Sequence, residues 1–236
     1  MFKLEMMSLV LGVATFTSSF ASGQTIGYWR FEGGTTGAAA TTVLDSSPAS
    51  NSGVANGGPV YNSDVALGNV NGLANGSSLQ FDGSNDFVTV GTDAALNSNT
   101  DFTVEFWLRS AGGGSAGQRL LVDKSHGFVD QSGWFFQTGN NNGIIGFGLG
   151  NGATFESVGS SNDLFDDQWH HLAGTYDGNI IEFFVDGVSQ GTTVAGAYDS
   201  NTRDIRFGNA LHNGRFFSGQ LDEVRISNRV LQTSEF

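Results

Sequence analysis

The sequence predicts an all-β protein folded as a two-sheet antiparallel sandwich. Three observations carry that prediction. About a dozen short segments alternate apolar and polar residues, the period of a strand with one buried face. Asp-Gly pairs and glycine-rich polar turns separate these segments. No stretch shows a helical period, save the last few residues, Leu231 to Phe236. Without helices, a sheet can bury its apolar face only against another sheet.

Composition narrows the class further. Gly supplies 35 of 236 residues and Pro only 2, which excludes a Pro-rich linker; the glycines follow no three-residue period, so collagen is excluded too. Charged residues make up 14%, below the ~25% of an average globular protein. A 39% hydrophobic fraction with 20 Phe still fills a sizeable core, which argues against disorder. Ten Lys+Arg against 23 Asp+Glu give a net charge of −13. That balance opposes a nucleic-acid partner and favours attraction of cations. Cys is absent, so neither disulfides nor thiol chemistry contribute.

Residues 1–23 are expected to be a secretory signal peptide. An apolar run from Met6 to Phe20 follows Lys3 and leads into the small-residue stretch Ser19 to Gly23. Thr15, Thr17, Ser18 and Ser19 interrupt it, and a membrane span needs about 20 apolar residues. The mature chain is therefore expected to be secreted or held at the cell surface, with no stable membrane span. Residues 24–236 are expected to form one domain.

The strands follow in order. Candidates are 26–32, 77–81, 86–91, 101–109, 118–123, 133–138, 143–149, 154–158, 168–176, 179–185, 188–193, 204–208 and 217–227. In 101–109, Phe102, Val104, Phe106 and Leu108 take one side; Thr103, Glu105, Trp107 and Arg109 take the other. Asp177-Gly178 and Asp186-Gly187 supply the positive φ of tight turns, so 168–193 should form a three-strand meander. Asp82-Gly83 begins another short loop. The Gly/Ala/Ser/Asn-rich span from Gly33 to Ser78 is the least regular, with Val43-Leu44 and Val60-Tyr61 as possible strand fragments.

Several blocks, in order, resemble the laminin-G-like, concanavalin A-like jelly-roll domains of bacterial secreted and surface proteins. They are Tyr28 to Gly33, Asp45-Ser46-Ser47, Ser78 to Gly83 with Asp86 to Val88, Asp101 to Trp107, Gln168 to Gly178, Phe184 to Gly187 and Gly219 to Ile226. The resemblance covers about 200 residues. It implies a jelly roll with a concave face, whose first and last strands lie side by side and antiparallel. Function it implies only loosely, because the fold carries lectins, glycan hydrolases, adhesion modules and spacers.

With those strands adjacent, Glu32 and Asp222 should meet at one edge of the sandwich. Two nearby carboxylates need a counter-charge, and calcium, which takes six to eight oxygens, suits the place. The related β-glucanase jelly rolls carry a structural calcium at a similar position. Asp45 is a candidate third carboxylate. The competing reading has Asp222 capping a turn while Glu32 faces solvent.

His170 and His171 are adjacent on a strand, so they point to opposite faces and serve packing rather than a shared metal. His126 and His212 carry no ligand spacing. A glycan hydrolase needs two carboxylates roughly 5–9 Å apart, and the glucanase Glu-x-Asp-x-Glu run is missing; Asp101 and Glu105 come nearest. Asp163, Asp166 and Asp167 read as a polar turn. For sugar binding, Trp134, Tyr198 and His212 are candidates, near the loop-rich stretches 126–142 and 196–214. Trp134 also opens the apolar Trp134-Phe135-Phe136 run, which equally suits the core. The expectation is a secreted, non-catalytic carbohydrate-binding or adhesion module with a structural calcium, its partner an extracellular glycan or surface glycoconjugate. The alternatives are an extracellular glycan hydrolase of the β-glucanase-like branch and a structural spacer domain.

Overall fold

The computed structural model describes residues 25–92, 94–97, 100–114, 117–125, 129–210 and 214–236. The expected leader, His126 and His212 lie outside the described residues. Among the described residues, eighteen strands, numbered in chain order, build two large antiparallel sheets and one small hairpin.

The first sheet runs β16 (Val188–Val194), β15 (Ile180–Val185), β14 (Trp169–Tyr176), β9 (Phe102–Arg109), β18 (Ser218–Ser227), β7 (Ser78–Asp82), β4 (Val60–Asn62). β1 (Thr25–Trp29) adds to it by pairing with β18. The second runs β13 (Phe155–Gly159), β12 (Ile145–Gly150), β11 (Trp134–Thr138), β10 (Leu120–Asp123), β17 (Ile205–Phe207), β8 (Phe87–Val90), β3 (Gly53–Asn56), β2 (Thr42–Val43). β5 (Asn69–Val70) and β6 (Leu73–Ala74) pair only with each other. The result is a jelly-roll sandwich.

Alternation in the sequence becomes facing in the structure. Phe102, Val104, Phe106 and Leu108 of β9 are buried between the sheets. Phe106 meets Phe136 edge-on at 4.9 Å between ring centroids, joining one sheet to the other. Phe136 in turn contacts Phe147 and Phe183. Each such ring, taken from water, contributes roughly 1.5–3 kcal/mol. Gly174 is required by this contact, because a Cβ there would stand 2.5 Å from the Phe147 ring.

The expected meander forms as β14-β15-β16. Asp186 and Gly187 both have positive φ, 50° and 73°, which turns β15 into β16 within two residues. The irregular span holds five short strands, β2 to β6; the sequence hinted only at β2 and β4. Two to four residues are too few for a readable period. At the chain end, where a helix was expected, Thr233–Glu235 forms a single 3₁₀ turn.

The opening and closing strands are antiparallel neighbours, Tyr28 opposite Arg225 and Trp29 opposite Val224. β18 is not an edge strand: it lies between β9 on one side and both β7 and β1 on the other. β7 pairs with Ser218 to Leu221, and β1 takes over from Val224 onward. Two strands thus share one lane of the sheet, and Asp222 and Glu223 lie at the changeover.

Candidate functional site

The outward side of the first sheet can be built rung by rung from the register. One rung crosses four strands as Gln80, Gln220, Arg109 and Trp169. The next places Asp222, Trp107 and His171 in line, and a third runs Tyr28, Arg225, Glu105 and Ala173. These are the residues that alternation turns away from the core, so their polar groups must find partners on the surface.

They do. Arg109 pairs with Asp64 and with Asp167 at 3.1 Å, and Trp169 Nε1 donates to Asp64 Oδ1 at 3.2 Å. Gln220 donates to Ser78 Oγ at 3.1 Å, and Asn62 to Gln80 Oε1 at 3.1 Å. Both Trp107 and Trp169 remain partly exposed. Trp107 stands edge-on to His171, centroids 5.1 Å apart. The face therefore offers two aromatic rings amid fixed amides, a guanidinium and a carboxylate.

Beside the tryptophans, Glu105 pairs with Arg225, and its Oε2 lies 3.5 Å from His171 Nε2. The C-terminal segment covers this pair. Arg225 donates to the Glu235 carbonyl at 2.6 Å, and the Phe236 ring sits 5.6 Å from that of His171. Glu105 is only 3% exposed.

At the lane changeover a bulge interrupts the β18–β9 register between Asp222 and Arg225, and Glu223 has φ 50°. The extra residue lets two consecutive acids serve one neighbourhood, which a regular strand forbids. Glu223 is neutralised by Arg30 at 3.0 Å and also accepts a hydrogen bond from the Tyr28 hydroxyl. Asp222 has no such cation: it is fully buried and accepts from Asn75 Nδ2 at 2.8 Å. Burial pushes its carboxyl up to about 7. Its Oδ1 and the Oδ1 of Asn75 are both buried without a hydrogen-bond partner.

The three expected cation ligands are not gathered as expected. Glu32 is exposed and accepts from the backbone N–H groups of Gly76 and Ser77, so it joins Asp222 only through the segment 75–77. Asp45 accepts from Tyr28 N, Ser47 N, Ser47 Oγ and Asn51 N, which fixes the loop 45–51. Among the described residues no three His, Cys, Asp or Glu stand together as a metal cluster. The two orphaned oxygens of Asp222 and Asn75 are nevertheless the hard donors calcium prefers.

The expected sugar platforms lie elsewhere too. Trp134 is 3% exposed, its ring against Phe102. Tyr198 is 8% exposed, with Phe102 and Tyr176 on its faces. Both rings are core. The loops around them do border a polar cavity of about 590 Å³, lined by Thr92, Asp130 and Ser200 to Asp204, but neither ring reaches it. His170 and His171 face oppositely, as expected: His170 is held by Asp186 at 2.8 Å and Asp166 at 3.2 Å, His171 by the Trp107 side. The rings that the first sheet turns outward are Trp107 and Trp169. Alternation alone had put Trp107 on the side away from Phe106.

A family model described as the concanavalin A-like lectin/glucanases superfamily matches residues 82–235. No curated protein matches. Among solved structures, the binding domain of Paraclostridial Mosquitocidal Protein 1 superposes with a TM-score of 0.68 at 14% identity, over 91% of this chain and 51% of that one. A botulinum neurotoxin type C structure, whose cell entry is described as dependent on two ganglioside molecules, gives 0.67 at 13%, over 91% and 50%. The binding domain of botulinum neurotoxin DC in complex with SialylT gives 0.68 at 13%, over 91% and 50%. The chain spans about half the length of these proteins, and the likeness is one of fold.

Proposed function

The chain belongs to the concanavalin A-like lectin/glucanases superfamily, and from that premise we propose that it is an exported, non-catalytic carbohydrate-binding module. The observation that carries this reading is the pair of partly exposed tryptophans, Trp107 and Trp169, on the outward side of the first sheet. Sugar rings present apolar C–H faces to such rings, while Arg109, Asp64 and the Gln80–Gln220 amides would address hydroxyls. The ganglioside and SialylT named for the neurotoxin structures support a glycan as the class of partner.

A hydrolase reading fits less well. A catalytic carboxylate must reach the substrate. Glu105 is tied to Arg225 beneath the C-terminal segment, and Asp222 is fully buried. Neither is presented to a sugar bond.

The proposal includes a structural calcium, for which the Asp222 carboxylate and the Asn75 side-chain oxygen would be the donors. The ion would supply the positive charge that Asp222 lacks and bind the segment 75–77 to the closing strand. Glycan-array binding by the purified chain tests the function. Binding that needs Trp107 and Trp169 is expected. Cleavage of a β-glucan panel, or binding indifferent to both tryptophans, would reject it.

A further inference from the structure

We infer that His170 is a positioning residue for the tryptophan face: charged, it clasps the turn that aims Arg109 and Trp169, and neutral, it lets that turn go. Glycan binding should then be stronger in mild acid than in mild alkali, a consequence that rests on the reading of Trp107 and Trp169 as a glycan floor.

Three side chains in line make the clasp. His170 Nδ1 lies 2.8 Å from Asp186 Oδ2, and His170 Nε2 lies 3.2 Å from Asp166 Oδ1. Both acids are half exposed and stay ionised at neutral pH. An ionised carboxylate only accepts, so each ring nitrogen must bring its own proton. A neutral imidazole has one N–H and an imidazolium has two. The arrangement is therefore that of the charged ring. Burial opposes the charge, but the two carboxylates outweigh it and lift the His170 pKa above its ordinary 6.5. On β9 the residue opposite His170 is the apolar Leu108.

The clasp holds the turn 166–168. Asp167 there has φ 64°, a left-handed state that costs a non-glycine residue free energy. Gln168 N donates to Asp166 Oδ1 at 2.9 Å, and Asp167 N donates to the Ser110 carbonyl at 3.0 Å. From this turn the face is aimed. Arg109 Nε donates to the Asp167 carbonyl at 2.9 Å and to its carboxylate at 3.1 Å. Arg109 also pairs with Asp64, which accepts from Trp169 Nε1. Neutral His170 can donate to one acid only. Asp186 keeps that bond, being nearer and fixed by the His171 N–H at 2.8 Å, so Asp166 is released. The clasp is closed below the His170 pKa and opens as pH rises through it.

NMR of the full chain at pH 5.5 and 8.5 tests the clasp without any sugar. The Trp169 indole N–H and Arg109 Nε–H signals should move with the midpoint of the His170 ring, which should lie above 6.5. In His170→Asn both signals should stay near their parent pH 8.5 positions throughout. Asp166→Asn, at a half-exposed position, should bring the His170 midpoint back toward 6.5 and remove the coupled movement. Asp222 is intact in both variants, so its own titration remains in them. Calorimetry with cellotetraose, whose charge does not change with pH, then reads the consequence. Its affinity should fall about fivefold from pH 5.5 to 8.5 in the parent, a modest change because Asp166 is half exposed, and should not fall in His170→Asn. A clasp that opens while the sugar binds at neither pH upholds the clasp and counts against the glycan reading. A His170 midpoint at or below 6.5, or Trp169 and Arg109 signals that keep their pH dependence in both variants, would overturn the inference.

Discussion

Trp107 and Asp222 are direct cross-strand partners, one at the centre of β9 and the other where β18 changes neighbours. The proposed aromatic floor and the proposed cation cradle therefore share a rung of the sheet.

The metal-free chain should lose stability as pH rises from about 4 to 7. Burial raises the folded carboxyl of Asp222 to about 7, so the folded state holds a proton that the unfolded chain has released above its usual 3.8. That contribution is complete at low pH and is lost as pH rises through 7. Melting temperatures with chelator at pH 5 and 8, in the chain and in Asp222→Asn, isolate it: the variant should lack this component. Millimolar calcium should raise the melting temperature of the parent at pH 8 far more than at pH 5, and that of Asp222→Asn at neither, because metal competes with the proton.

Trp107→Ala and Trp169→Ala should each weaken glycan binding about tenfold, ~1.4 kcal/mol, with the fold intact. Both rings are partly exposed, so truncation opens no large cavity. Titration calorimetry with any array-positive glycan checks this. Unchanged affinity in both variants would remove the tryptophan face from consideration.

Trp134→Ala should behave oppositely. Its ring is buried against Phe102, so its loss should cost about 3–5 kcal/mol in urea unfolding. At temperatures where the variant remains folded, glycan affinity should match the parent. A loss of affinity without a loss of stability would restore Trp134 as a binding residue.

Lys124 gives a separate pH signature. It is 1% exposed, and its ammonium donates to the carbonyls of Asn201 at 3.0 Å and Arg203 at 2.8 Å. Burial pulls its pKa down to about 8, against the attraction of Asp204 and Asp123. Between pH 8 and 10 the unfolded chain binds the extra proton, so stability should rise with pH there. Urea midpoints at pH 7.5 and 9.5 should show that rise in the parent, and Lys124→Met should flatten it.

Much of this molecule was legible before folding. The alternation in 101–109 identified which side of β9 is core, and Phe106 against Phe136 bears it out. Asp186-Gly187 marked its hairpin because few residue pairs tolerate two positive φ values in succession. The short strands between Gly33 and Ser78 stayed mostly hidden, since two to four residues carry no readable period. The Trp134-Phe135-Phe136 run was ambiguous for a related reason: with both sides apolar, alternation cannot choose a face.

Local pattern by itself determined the class of fold, the order of the main strands along the chain and, where apolar and polar residues alternate, which side faces inward. Those follow from interactions within a few residues: pleat, turn chemistry and the drive to remove apolar side chains from water. Only the tertiary structure decided that β1 and β7 share one lane beside β18, that Glu223 bulges there, and that Asp222 stands buried beside Trp107 and Asn75. Asn75 and Asp222 are 147 positions apart. Their meeting is set by the pairing of distant strands, a choice made by the free energy of the whole sandwich and written in no single segment of it.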